Sequence, residues 1–398
     1  MDLLLAALRE SATPALYRRN TFRLTGLPTG ADRRTVRERR QKVLTRLEVG
    51  ADVDGAAVDG AAVDGAAADG AGADRREVAR AFDLILGDPR RRLVDELFWY
   101  WDGDTTACSC PSTLHRDHDE AVLSHREVLE REARSVQLSD GERRELDEDW
   151  ADAAAEWASV LRRVAFFDHV RHRIAVLDDK QLDESALDVI RDELPLVLVK
   201  PLVLLAAGSP DRPARLRAAA LAWPAPRDQV LDLLEQSAEP LYDDVTAALQ
   251  EARDALESNR PLAAATALST SAVPRLARLD ALAPAAEHRR TSRTRNDVAI
   301  AFNNCAVQDI DTRGAPAEQA ARRWLGTAKS LATDADTRTA ITRNTEYVGQ
   351  VVLAERRRGV PREAEWTPAP PTPVSGAGCL LWLVLVVLLA LFLIWVNR

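Results

Sequence analysis

The chain has 398 residues, a formal net charge of −9, charged residues at 29% and four cysteines. Its length supplies two or three cores at the usual domain size of about 150 residues. The acidic balance argues against general nucleic-acid binding by the whole chain, and four scattered cysteines give no disulfide framework, a usage that fits a reducing compartment. Lysine stands only at positions 42, 180, 200 and 329 while arginine and alanine abound, which looks like the coding bias of a high-GC bacterium.

Residues 3–8 are apolar but short, follow Asp2 and lack a basic leader, so they do not read as a signal peptide. Val36, Val43, Leu44 and Leu47 fall on one face at helical spacing. Residues 51–73 then repeat Ala-Ala-Val-Asp-Gly, with too little apolar surface for a core, and are expected to form a flexible insert. Neither a calcium loop nor a phosphate loop is spelled there. After the insert, Asp74 with Glu77 opens a helix carrying Val78, Ala81, Phe82 and Ile85, which Gly87 closes. Asp88-Pro89 starts the next helix, with Leu93, Val94, Leu97, Phe98 and Trp101 as its apolar stripe.

The helical period continues through Trp150, Trp157 and Leu161, and through Val170, Ile174 and Leu177. Residues 194–207 are strongly apolar but contain Pro195, Lys200 and Pro201, so they read as a buried, broken helix rather than a membrane span. Turn-rich breaks at 208–213 and 223–227 precede helical stretches up to about residue 358. A proline-rich spacer occupies 359–378, and 379–396 is free of charge, with Trp382 and Trp395 near its ends. That last stretch is expected to be one C-terminal transmembrane helix. Arg356, Arg357, Arg358 and Arg362 upstream of it would leave the body in the cytoplasm.

Phe22-Arg23-Leu24-Thr25-Gly26-Leu27-Pro28 and the later run from Ala81 through Asp88-Pro89 to Arg92 resemble the opening and closing of a DnaJ-type J domain. The resemblance covers about residues 14–101. It implies docking on a DnaK-type chaperone through the basic helix, with Arg33, Arg34, Arg37, Arg40 and Arg46 as contacts, a solvated helix face being the structural alternative. The His-Pro-Asp tripeptide that triggers ATP hydrolysis in that family is absent from the sequence. Binding without ATPase stimulation is therefore the expectation. Phe302-Asn303-Asn304-Cys305-Ala306, with Gly314, Ala320, Trp324 and Ala328, resembles a tetratricopeptide hairpin, within a region spanning 212–358. That resemblance implies Asn303, Asn304 and Asn344 as contacts to a bound peptide backbone. Capping or solvation of these asparagines is the structural alternative.

The remaining cluster with ligand chemistry is Cys108, Cys110, His115 and His118, where two thiolates and two imidazoles offer a tetrahedral zinc shell, although the spacing fits no common zinc motif. His118 and His125, two helical turns apart, otherwise read as interface or surface residues. Nucleophile elbow, His-Glu-x-x-His, phosphate loop and dinucleotide glycine patterns are all missing, so no catalytic residues and no small-molecule substrate are assigned. The expectation is an all-α, membrane-tethered adaptor for a protein partner: a J-like module, a helical domain at 115–207, the tetratricopeptide-like region and the anchor. A zinc protein or metal-dependent enzyme using the Cys108–His118 cluster is the alternative.

Overall fold

The computed structural model describes residues 2–48, 74–102, 108–135, 137–180 and 182–359, and every regular element among them is helical. Helix α1 (Asp2–Ser11) precedes a front group of α2 (Thr21–Thr25), α3 (Arg33–Glu48), α4 (Arg75–Gly87) and α5 (Pro89–Leu97). The body begins with α6 (Ser112–Arg134), α7 (Asp140–Leu161), α8 (Val164–Leu177) and α9 (Glu184–Gly208). It continues through α10 (Pro213–Leu221), α11 (Arg227–Ser237), α12 (Glu239–Glu257), α13 (Pro261–Ala267) and α14 (Val273–Leu282). Three longer helices, α15 (Arg289–Arg313), α16 (Glu318–Leu331) and α17 (Ala335–Gly359), end the described chain.

The front group forms where local chemistry predicts. Asp74 accepts the Arg76 amide at the start of α4, and Asp88 accepts the amides of Arg90 and Arg91 at the start of α5, with Pro89 in the first turn. Phe22, Leu27, Ala31, Val36, Val43, Val78, Phe82 and Ile85 pack into a small core of their own. A second, continuous core runs from Leu4 to Val352 and includes α1, which lies on α5 and α9. The insert at 51–73 lies outside the described residues.

Helix α9 is continuous, not broken: it passes through both Pro195 and Pro201. Each proline removes one backbone hydrogen bond, a cost of roughly 3 kcal/mol in a helix interior. Burial offsets this, since α9 packs against α1, α6, α8, α10 and α11 and hides Leu194, Val197, Leu198, Leu202 and Val203. An apolar surface nearly all round is what such a central helix requires.

The expected fold class is corrected in one respect: the all-helical body stands, but no helix among the described residues is long and apolar enough to cross a membrane. Residues 379–396, on which the anchor was read, and 360–378 of the spacer lie outside the described residues.

At the C-terminal end, α15, α16 and α17 pack on one another through small or flat side chains, among them Ala299, Ala306, Ala321, Trp324 and Ala328. Gly314 ends α15 at φ +65°, where a side chain would overlap the Glu355 carboxylate that accepts the Ala315 amide. The structure places Asn303 and Asn344 against each other, with the Asn344 amide donating to Asn303 Oδ1 at 2.8 Å. The Asn303 amide donates in turn to Asn304 Oδ1 at 3.4 Å.

Candidate metal centre

Between α5 and α6 the chain turns sharply at Asp102, which adopts a left-handed backbone (φ 61°). Asp119, on α6, accepts the backbone N–H groups of Trp101 at 2.7 Å and Asp102 at 3.0 Å and so pins this turn. The turn aims the Asp102 carbonyl at His115 Nδ1, 2.8 Å away. A carbonyl only accepts, so Nδ1 carries the proton and Nε2 keeps its lone pair. That lone pair faces Cys108 Sγ at 3.2 Å.

From α8, His169 presents Nδ1 to Cys110 Sγ at 3.3 Å. One donor atom from each of Cys108, Cys110, His115 and His169 lies within 4.8 Å of the other three. Tetrahedral zinc with its ordinary bond lengths needs donor separations of roughly 3.3–3.8 Å, so a small inward movement closes the shell. The cluster can hold a metal ion. Both cysteines are partly exposed, whereas both histidines are buried.

Acid–base chemistry agrees with that donor set. Burial, reinforced by the neighbouring His115 and His118, holds the His169 imidazole down to about 3, so it is neutral and able to donate a lone pair. Burial and then the adjacent Cys108 push the Cys110 thiol up to about 12. A bound cation would reverse this, because metal coordination deprotonates a thiol outright.

His118 does not join the cluster. Its Nε2 faces the Leu97 carbonyl at 3.1 Å and its Nδ1 faces the Asp119 carboxylate at 3.1 Å, so both nitrogens are turned to acceptors and neither is presented to the cysteines as a metal ligand. His118 instead stacks on the Trp101 indole with centroids 3.7 Å apart, as does His169 at 3.8 Å. The candidate ligand that sequence reasoning missed therefore sits on another helix, 59 residues from Cys110. Its one sequence signal is a histidine on the apolar face of α8 that also carries Phe166, Val170 and Ile174.

His125, expected at a surface or interface, is fully buried, and its Nδ1 meets the Tyr17 hydroxyl at 2.8 Å. Burial lowers its imidazole from 6.5 to about 3. The folded state thus disfavours protonation, and stability that is complete above the unfolded value of 6.5 drains away as pH falls toward 3. Between pH 7.5 and 5.0 this costs about 2 kcal/mol. In urea titrations at those two pH values, His125→Gln should lose about that much less stability than the parent; equal losses would refute the assignment.

A separate open groove of about 670 Å³ lies beside α12, α13 and α15, lined by Arg260, Leu262, Thr266, Thr270 and Arg313 among others. Its buried carboxylate, Asp309, is already paired with Arg313. Among the described residues no free, buried polar group converges on it, so the Cys/His cluster is the stronger candidate site. On α3, Arg33, Arg34, Arg37 and Arg46 are exposed and Arg40 is half-buried. Arg34 pairs with Glu38 at 2.8 Å, and Arg40 with Asp83 at 2.7 Å. No protein-family model, curated protein or solved structure matches this chain.

Proposed function

We propose that this protein is a helical scaffold for protein partners, stapled by a structural zinc ion held by Cys108, Cys110, His115 and His169. The convergence of those four donors from two separate segments, residues 108–115 and α8, carries the reading. Four protein ligands complete a tetrahedral shell and leave no position for water or substrate, which favours a structural role over metal-dependent catalysis. The surroundings fit as well, because the Asp102 carbonyl accepts from His115 Nδ1 and so turns Nε2 toward the cysteines, as is usual for zinc-binding histidines. Metal analysis of protein purified with zinc present should find one zinc per chain. Zinc should be lost in Cys108→Ser and His169→Asn but retained in His118→Asn; a zinc-free parent protein would end the proposal.

The partner surface is α3. Arg33, Arg37 and Arg46 make no ion pair among the described residues, so an acidic partner would not have to displace an internal one. A DnaK-type chaperone is the partner that the J-like motifs suggest. The expected contact is weak, weakens further as salt screens it, and does not raise the chaperone's ATPase rate. Charge reversal at Arg33 and Arg37 should lower the affinity at low ionic strength at least several-fold, whereas unchanged affinity, or strong ATPase stimulation, would remove this surface from consideration.

A further inference from the structure

Metal ligand His169 and the buried Arg173 stand one turn apart on α8, and Arg173 reaches directly into the front group of helices. Its guanidinium grips the Glu96 carboxylate of α5 with two hydrogen bonds, at 2.8 and 2.9 Å, and touches the Thr29 carbonyl at 3.3 Å. Glu96 is also held by Arg92 at 2.9 Å, and Arg92 donates to the carbonyls of Thr29 and Ala31, at 3.1 and 2.7 Å. Thr29 and Ala31 belong to the short connector that leads into α3. The connector's other tie in this region also runs through the metal-site turn, since the Thr29 hydroxyl donates to the Tyr100 carbonyl at 3.2 Å.

The consequence comes from the separateness of the two cores. Helices α2, α3 and α4 share their own apolar cluster, whereas Leu93, Val94 and Leu97 place α5 in the body core, so the Arg173, Glu96 and Arg92 contacts to the Thr29–Ala31 connector stand where the two cores meet. Bidentate guanidinium–carboxylate pairs are directional and demand that both helices be fixed. Helix α8 contributes only one ligand to the cluster, His169; the other three come from residues 108–115. An ion at the site would bind α8 to this segment and to the start of α6, and with α8 the Arg173 fork.

We infer that metal occupancy is a latch for the front module: with zinc bound, α8 holds Arg173 on Glu96 and the Thr29–Ala31 connector, fixing the orientation of α3; without it, the module swings relative to the body. This rests on the zinc reading above, and it makes presentation of the basic α3 surface depend on metal supply.

The test is single-molecule energy transfer on the full chain, with dyes on unnatural amino acids at the exposed positions 37 and 257, so that the native cysteines stay unlabelled. Zinc-loaded protein should give one narrow transfer distribution. Removal of zinc by a chelator should shift and broaden it while the helical circular dichroism is retained. Arg173→Gln, which leaves Glu96 paired with Arg92, should retain one zinc per chain and yet give the broadened distribution. Bound zinc whose removal leaves the distribution unchanged would overturn the latch alone, as would loss of the helical signal on zinc removal or a narrow distribution in Arg173→Gln. Absence of bound zinc would overturn the latch and the metal reading together.

Discussion

Cys108→Ser is expected to lower the thermal unfolding midpoint of the zinc-loaded protein by on the order of 8 °C, and a chelator should do the same to the parent but nothing to the variant. A ligand that binds only the folded state stabilises it by RT ln(1 + [L]/Kd), about 4 kcal/mol when free zinc exceeds the dissociation constant a thousandfold. For a chain of this size each kcal/mol moves the midpoint by roughly 2 °C. The serine removes the thiolate facing His115 Nε2 at 3.2 Å and leaves three ligands. Its effect must vanish in the absence of metal if the loss is one of binding. A variant as stable as the parent in saturating zinc would show that Cys108 is not a ligand, whereas equal destabilisation with and without zinc would point to packing alone.

Local signals were the part of this fold that could be read from the chain. The Asp74 and Asp88 caps, the apolar stripe of α4 and Leu93, Val94 and Leu97 of α5 are set by neighbours within four residues and stand where the pattern placed them, whereas α5 ends at Leu97 and leaves Phe98 and Trp101 of its expected stripe beyond it. Helix α9 resisted the same reasoning because the effect of Pro195 and Pro201 depends on what surrounds the helix. Five packed neighbours outweigh two missing hydrogen bonds, and no window of sequence contains those neighbours.

The candidate metal cluster divides along the same line. Cys108, Cys110 and His115 lie within one short segment and could be grouped by eye, while His169 arrives on α8 through tertiary packing. His118 was the tempting fourth ligand because it is near in sequence. Its nitrogens were already committed to Leu97 and Asp119, a fact of geometry that spacing does not encode.

The largest single-residue loss should come from Glu132→Ala, about 3–5 kcal/mol, the range for breaking a buried ion pair by removing one partner. Glu132, near the end of α6, is almost wholly buried and carries two guanidinium groups, that of Arg212, which immediately precedes α10, at 2.6 Å and that of Arg215 of α10 on its other oxygen. The Trp150 indole N–H of α7 donates to it at 3.3 Å. Alanine would strand two largely buried cations. Arg215 retains Asp147 at 2.7 Å, but Arg212 keeps only the exposed Asp211 at 3.7 Å and the main-chain carbonyl of residue 132 at 3.5 Å, so Arg212 bears most of the penalty. Adding Arg212→Met to Glu132→Ala should therefore recover part of the loss, because the uncompensated charge departs with its partner. Urea unfolding of the two single variants and the double variant reads this directly. Strictly additive losses would mean that the carboxylate acts through packing against Trp150 and not through the two arginines that tie α10 to the end of α6.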